Sequence, residues 1–267
     1  MVKIILTLCI IFHFYIPNGW AQASSNPDSN KPMEITADES LEWHRTELYF
    51  KANKNVKAVQ GATTLFSDIL KAKYRDSKDG GMDVYTILAS GNVKIISAQS
   101  KVYGDKAIYN IDKGFAVITG NNLRLVSDGQ VVTARDKFQY WVSAGRLEAL
   151  GNAKAVRLGD TLEADKIVTI FNEDKHGKRT LKTLEAFGNV VITTPDEVLT
   201  SERAIYNAAT DIAELHENVK ITRGPNILEG NRAQVNLKTN ISKIFGSGDN
   251  GNRVRGVFYP NSKIKPE

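Results

Sequence analysis

From Met33 to Tyr259 the chain is written in short runs rich in Val, Ile, Thr and Tyr, broken by Gly-Asn, Asp-Gly, Asn-Gly and Gly-Asp pairs. Alternation is explicit in Val93-Lys94-Ile95, Val190-Val191-Ile192 and Val219-Lys220-Ile221, where apolar residues hold every second position. Successive side chains of a strand point to opposite faces, so this period of two predicts half-buried β-strands. No window sustains the 3.6-residue period of a helix, and the fold class expected is all-β with short antiparallel strands.

A second pattern lies over the first. An acid or amide, usually followed by a basic residue and then alternating apolar positions, recurs at Asp105-Lys106-Ala107-Ile108-Tyr109, Asp136-Lys137-Phe138, Asp165-Lys166-Ile167, Glu202-Arg203-Ala204-Ile205-Tyr206 and Asn231-Arg232-Ala233-Gln234-Val235. Weaker copies stand at Asp38 and Asp68, and the spacing is about thirty residues, a period typical of stacked repeats. A shift of 97 residues then carries Gly91-Asn92-Val93 onto Gly188-Asn189-Val190 and Ala107-Ile108-Tyr109-Asn110 onto Ala204-Ile205-Tyr206-Asn207 without a gap. The same shift superposes Asn55 on Asn152, Lys57 on Lys154, Leu65 on Leu162, Asp68 on Asp165 and Asn121 on Asn218, with the charged loops at Lys78 and Gly80 falling on Lys175 and Gly177.

These registers predict an internally duplicated β module, residues 33–137 and 138–259, with a short tail at 260–267. No proline-rich linker separates the halves, which favours one continuous stack. A unit of thirty residues has room for about three strands of five or six residues, and it cannot bury its apolar face alone. Stacking then aligns one inward row: Val93, Ile95, Ala107, Tyr109, Ala116 and Ile118 in the first module, and Val190, Ile192, Ala204, Tyr206, Ala213 and Leu215 in the second, with Val219 and Ile221 continuing it. Read from the pattern alone, that row is a closed core. The Gly91-Asn92 and Gly188-Asn189 pairs read as hairpin turns, because both residue types accept positive φ. The acid-base signature reads as a solvated strand start, without chemistry.

The amino terminus adds an address. Lys3, the apolar run Ile4 to Ile16 and Ala21-Gln22-Ala23 have the layout of a signal peptide over 1–23, cleaved near Ala23, and the run is shorter than the ~20 residues of a spanning helix. Retention as a membrane anchor is the rival reading. Residues 24–32 are polar, with Pro27 and Pro32, and form a lead-in. Cys9 is the only cysteine and lies inside the apolar run, so the mature chain has no thiol for disulfides, metal sites or nucleophilic catalysis.

Charge and motifs narrow the function further. The chain has 35 Lys and Arg against 30 Asp and Glu, spread without an arginine-rich block, which argues against a nucleic-acid partner. His44, His176 and His216 form no ligand set, and Asp249 to Asn252 lacks the ordered acids of a calcium loop, so no metal, cofactor or catalytic residue is expected. A β-solenoid enzyme using Asp136 and Asp165 as acid and base is the enzymatic alternative; those acids belong to the repeat, whereas a catalytic pair departs from one. A β-scaffold that polymerises through strand edges and binds nothing in its interior is the structural alternative.

Signal, opening strand Met33-Glu34-Ile35-Thr36-Ala37-Asp38, repeated Gly-Asn-Val strands and Gly-Asp-Lys-Ala-Ile-Tyr, taken in that order, resemble the lipopolysaccharide-transport LptA/OstA family, from Met33 to about Asn240. The resemblance implies a twisted β-jellyroll whose apolar interior holds the lipid A part of lipopolysaccharide in the periplasm. It implies end-to-end association with like domains, with a membrane-anchored inner-membrane relative and with the amino-terminal domain of the outer-membrane translocon. No catalysis and no cofactor are implied. The family's lipid-contacting opening strand matches Met33 and Ile35, and its Gly-Asn-Val strands match Val93 and Ile95 and again Val190 and Ile192. The chain departs from the family in carrying two such modules.

Overall fold

The computed structural model describes residues 31–77, 80–97, 100–127, 129–173, 179–239, 241–247 and 253–260. The signal peptide, most of the lead-in and tail, the charged loop with Lys175, His176 and Gly177, and the Asp249 to Asn252 run lie outside them. Every regular element among the described residues is a strand. Two compact units emerge: an amino-terminal one from residues up to 151 with 171–180, and a carboxy-terminal one from 152–170 and 181 onward.

The amino-terminal unit contains β1 (Glu34–Thr36), β2 (Ser40–His44), β3 (Tyr49–Gln60), β4 (Thr63–Asp76), β5 (Met82–Ile96), β6 (Ser100–Asn110), β7 (Phe115–Thr119), β8 (Leu123–Ser127), β9 (Gln130–Ala134), β10 (Lys137–Trp141) and the first half of β11 (Arg146–Arg157). Most of β12 (Asp160–Glu173) and β13 (Arg179–Thr193), with β14 (Val198–Asn207), β15 (Ile212–Arg223), β16 (Asn226–Asn236), β17 (Ile241–Phe245) and β18 (Arg255–Val257), builds the other. Neighbouring strands pair antiparallel. The long strands run to 15 residues, so one thirty-residue period is two long strands rather than three short ones.

The reason is that the Gly-Asn pairs do not turn the chain. Gly91-Asn92 (φ 77° and 47°) lies inside β5 and Gly188-Asn189 (φ 73° and 49°) inside β13, as do Lys54-Asn55 in β3 and Glu217-Asn218 in β15. Each is a two-residue bulge opposed by one residue of the next strand. Register passes from Ser90↔Lys106 to Val93↔Gly104, which sets Gly91 and Asn92 against Asp105. The same count sets Lys54-Asn55 against Asp68, Gly188-Asn189 against Glu202, and Glu217-Asn218 against Asn231. By contrast, Leu158-Gly159, also at positive φ, is a true two-residue turn between β11 and β12.

The recurring acid therefore has a structural task that the pattern did not disclose. Asp68 opposes one bulge and fastens the next, and acids at other copies fasten bulges in the same way: Asn55 Nδ2 donates to Asp38 at 2.7 Å, Asn92 Nδ2 to Asp68 at 2.9 Å and Asn189 Nδ2 to Asp165 at 3.0 Å. Asp105 accepts from the Asn121 backbone N–H at 2.9 Å. A bulge bends its strand and increases twist. The bulges sit on alternate strands, and on either side of them β3, β6 and β16 pair with different partners, so each unit divides into two arms.

The arms of the amino-terminal unit meet on one core. Ala52, Leu70, Ala72 and Ile87, from one side of the crease, form a buried cluster with Val56 and Ala58 from the other, and Met33, Ile35, Phe50, Leu65 and Tyr109 pack against it.

Candidate functional site: the inner apolar rows

Cross-strand register links the inner side chains into continuous rows. On the arm that contains β2, one row runs Leu41, Ala52, Leu70, Ala89, Ala107, Ile118, Phe138 and Ala149. Beside it run Trp43, Phe50, Ala72, Ile87, Tyr109, Ala116, Tyr140 and Leu147. On the arm that contains β1, the inner row is Ile35, Ala58, Leu65, Ile95, Val102, Leu125 and Val132. No polar side chain interrupts these rows apart from the tyrosine hydroxyls and the indole nitrogen.

The carboxy-terminal unit repeats the arrangement. Ala186, Ala204, Leu215, Ala233 and Ile244 form one row, and Leu184, Tyr206, Ala213 and Val235 the next. Beyond the bulges lie Ile192, Leu199, Ile221 and Leu228. Val190 and Val219 sit at the crease, each 1% exposed.

Every inward residue read from the pleat thus lies on an inner face, and within each unit the rows bring them together. Met33 and Ile35 join the same core as Tyr109. Pattern reading missed Leu41 and Trp43. In β2 the polar Ser40, Glu42 and His44 are half-buried while Leu41 and Trp43 on the inner side are 57% and 47% exposed; among the described residues β2 pairs with β3 alone, and the Arg45 guanidinium lies 4.1 Å over the Trp43 ring. Trp43 is nonetheless held: its Nε1 donates to the Tyr74 hydroxyl at 2.8 Å, and its ring stacks on Phe50 at 5.5 Å. The apolar alternation of Leu41 and Trp43 was the available signal.

Away from this edge the walls are closed by their own side chains. Ala52 and Leu70 are fully buried and Leu215 is 1% exposed. The rows are rich in alanine, which lets opposed arms approach closely. Tyr206 is buried and donates to Asp211 at 2.9 Å, and burial together with that carboxylate drives its pKa far above that of a free phenol.

The outer faces are charged. A shallow concavity of about 480 Å³ near the crease is lined by Glu39, Glu42, Lys51, Asn55 and Asp68, which suits water and ions rather than hydrocarbon. Among the described residues no group of three or more His, Cys, Asp or Glu could hold a metal ion. Asp136 forms an ion pair with Arg135 at 2.7 Å that holds its carboxyl below the usual range, and Asp165 is engaged by Asn189. His44 lies 2.8 Å from Glu42, lowering that carboxyl's pKa, and stacks on Tyr49.

With this geometry in place, comparison with known proteins is informative. The family described as LptA/(LptD N-terminal domain) LPS transport protein matches the chain twice, over residues 34–140 and 136–241. The chain belongs to this family. The two matched segments follow one another along the chain and overlap at residues 136–140. Among solved structures, the chain is similar to LptH, the LptA-homologous periplasmic component of the lipopolysaccharide transport device from Pseudomonas aeruginosa, at 11% identity and a TM-score of 0.22 over 87% of this chain and 99% of that one. No curated protein matches.

Proposed function

We propose that this LPS-transport family member is a periplasmic carrier whose inner rows shield the acyl chains of lipid A, passing lipopolysaccharide from a membrane-anchored relative to the amino-terminal domain of the outer-membrane translocon. The observation that carries this reading is the unbroken eight-residue apolar row from Leu41 to Ala149, exposed at the β2 end and buried beyond it. Each methylene is worth ~0.8 kcal/mol on burial, so a chain of about a dozen carbons resists exposure to water by roughly 10 kcal/mol. A lipid with several such chains needs a shield across an aqueous gap.

Lipid enters at the exposed Leu41 and Trp43 and separates the alanine-lined arms, contacting Met33, Ile35, Val93, Ile95, Ala107, Tyr109 and Ile118 in the first module and Val190, Ile192, Ala204, Tyr206, Leu215, Val219 and Ile221 in the second. The modules span 33–137 and 138–259 behind a signal peptide cleaved near Ala23. Strands β1, β2, β17 and β18 each pair on one side only among the described residues and supply edges to which a like domain adds. A photo-crosslinking residue at Ile95 or Ile192 is expected to capture lipopolysaccharide in cells. Absence of adducts at both positions would refute the carrier.

The closed walls favour one second reading, a scaffold that polymerises through its edges and carries no lipid. It predicts filaments of purified protein without co-purifying lipopolysaccharide, as judged by mass spectrometry.

A further inference from the structure

Outside the crease of the amino-terminal unit, register builds a row of a different kind. On the outer face of the arm that contains β1, Lys57 of β3 lies opposite Phe66 of β4, Phe66 opposite Lys94 of β5, Lys94 opposite Tyr103 of β6, and Tyr103 opposite Arg124 of β8. Cation and ring alternate strand by strand over about 19 Å, at ~4.8 Å per strand. The side chains engage one another: Lys94 Nζ lies 5.8 Å from the Phe66 centroid and 5.9 Å from that of Tyr103, and the Arg124 guanidinium lies 4.6 Å over Tyr103. None of Lys57, Lys94 and Arg124 has an ion-pair partner among the described residues, and Lys101 on the adjoining row also lacks one.

The duplicated copy provides an internal contrast. The 97-residue shift carries Lys57 and Phe66 onto Lys154 and Glu163, which form an ion pair at 2.7 Å. Further along the outer face of that unit, Glu229 lies 3.8 Å from Lys220 and 2.9 Å from Arg255. At these two positions one copy pairs Lys154 with Glu163, whereas the other sets Phe66 against Lys57 and leaves that cation without a carboxylate partner among the described residues.

We infer that the Lys57-Phe66-Lys94-Tyr103-Arg124 row binds the phosphorylated oligosaccharide of the lipid whose acyl chains occupy the inner wall; this rests on the carrier reading above. Aromatic faces pack against sugar rings and the cations pair with phosphates. The placement fits one amphiphile. Thr36 of β1 lies beside Lys57, the other edge of β1 is unpaired among the described residues, and Ile35, the neighbour of Thr36 in sequence, faces inward. A molecule with its tails against Ile35 and its head passing over the β1 edge therefore meets Lys57 one strand further on. A membrane surface fits less well, because Phe66, Tyr103 and Ile96 are half-buried and only charged side chains protrude along the row.

The test titrates the purified protein with fully deacylated lipopolysaccharide that retains its phosphates, followed by NMR and calorimetry. Binding is expected to shift the resonances of Lys57, Phe66, Lys94, Tyr103 and Arg124, to weaken roughly tenfold or more in the Lys94→Gln/Arg124→Gln double variant, and to disappear when the probe is dephosphorylated. Circular dichroism confirms that the variant is folded. Unchanged affinity in that variant, shifts confined to the carboxy-terminal unit, binding that survives dephosphorylation, or preference for anionic phospholipid vesicles overturns the inference. Crosslinking from Ile95 separates the two readings: an adduct there with no oligosaccharide binding removes the strip and leaves the carrier.

Discussion

The Asp68 carboxylate accepts a hydrogen bond from the Asn92 side chain at 2.9 Å, and Asp165 and Asn189 repeat the contact at 3.0 Å in the other unit. Each clasp joins the middle of one long strand to the bulge of the next. It secures the conformation that creases the sheet, so its removal loosens the feature on which both arms depend.

Removing the Asp165 carboxylate is therefore expected to cost about 1 kcal/mol, the worth of a hydrogen bond to a partly exposed charged group. Asn189→Ala loses the same bond and also the tolerance for φ 49°, giving about 1–2 kcal/mol. Asn189→Gly keeps the backbone and loses only the bond. Urea denaturation should rank the three with Asn189→Ala least stable.

Gly188→Ala tests the crowding at the same place. At φ 73° the added Cβ is strained and collides with the Asp165 carboxylate. About 2 kcal/mol or more is expected from the two effects together. In an Asp165→Ala background the collision is gone, so the glycine substitution should cost measurably less. Strict additivity in that double-mutant cycle would contradict the packing described.

Leu41 and Leu70 share one row but differ in burial, at 57% and 0% exposed. Leu70→Ala should destabilise by about 2–5 kcal/mol through the cavity it leaves. Leu41→Asp should change stability by no more than about 0.5 kcal/mol while lowering lipid capture at Ile95, because it puts a charge at the entrance. Thermal denaturation together with crosslinking yield separates the two effects.

Burial raises the pKa of Glu197 in the carboxy-terminal unit, with Arg223 opposing that shift and Asp196 adding to it. An acid whose pKa is higher in the folded state than in the unfolded one binds protons more readily when folded, so its charged form lowers stability at neutral pH. Glu197→Gln is expected to be more stable than the parent chain at pH 7. The gap should close as pH falls through the folded pKa and be absent below the unfolded value.

Much of the inner wall was legible in the sequence. Alternation placed Ala107, Tyr109, Val190 and Leu215 on one face, and the ungapped repeat matched Ala107 and Ile118 to Ala204 and Leu215. The role of Gly91-Asn92 was not legible, since a hairpin turn and a mid-strand bulge make the same demand for positive φ. What separates them is whether the strand resumes beside the same neighbour, a property of pairing rather than of the dipeptide. Asp68 looked like a solvated strand start because its partner Asn92 lies in another strand. The outer row of Lys57, Phe66, Lys94, Tyr103 and Arg124 was invisible for a like reason: its members come from five strands and adjoin only through register.

The two-against-one bulges also constrain how such a chain can change over time. Inserting or deleting a single residue within β4, β5 or β6 would slide an acid off its asparagine and turn the apolar positions beyond it outward. Length can vary freely only at the tips, where strands reverse, and growth of the wall is confined to whole copies of the motif, as the ungapped correspondence of residues 55–121 with 152–218 records.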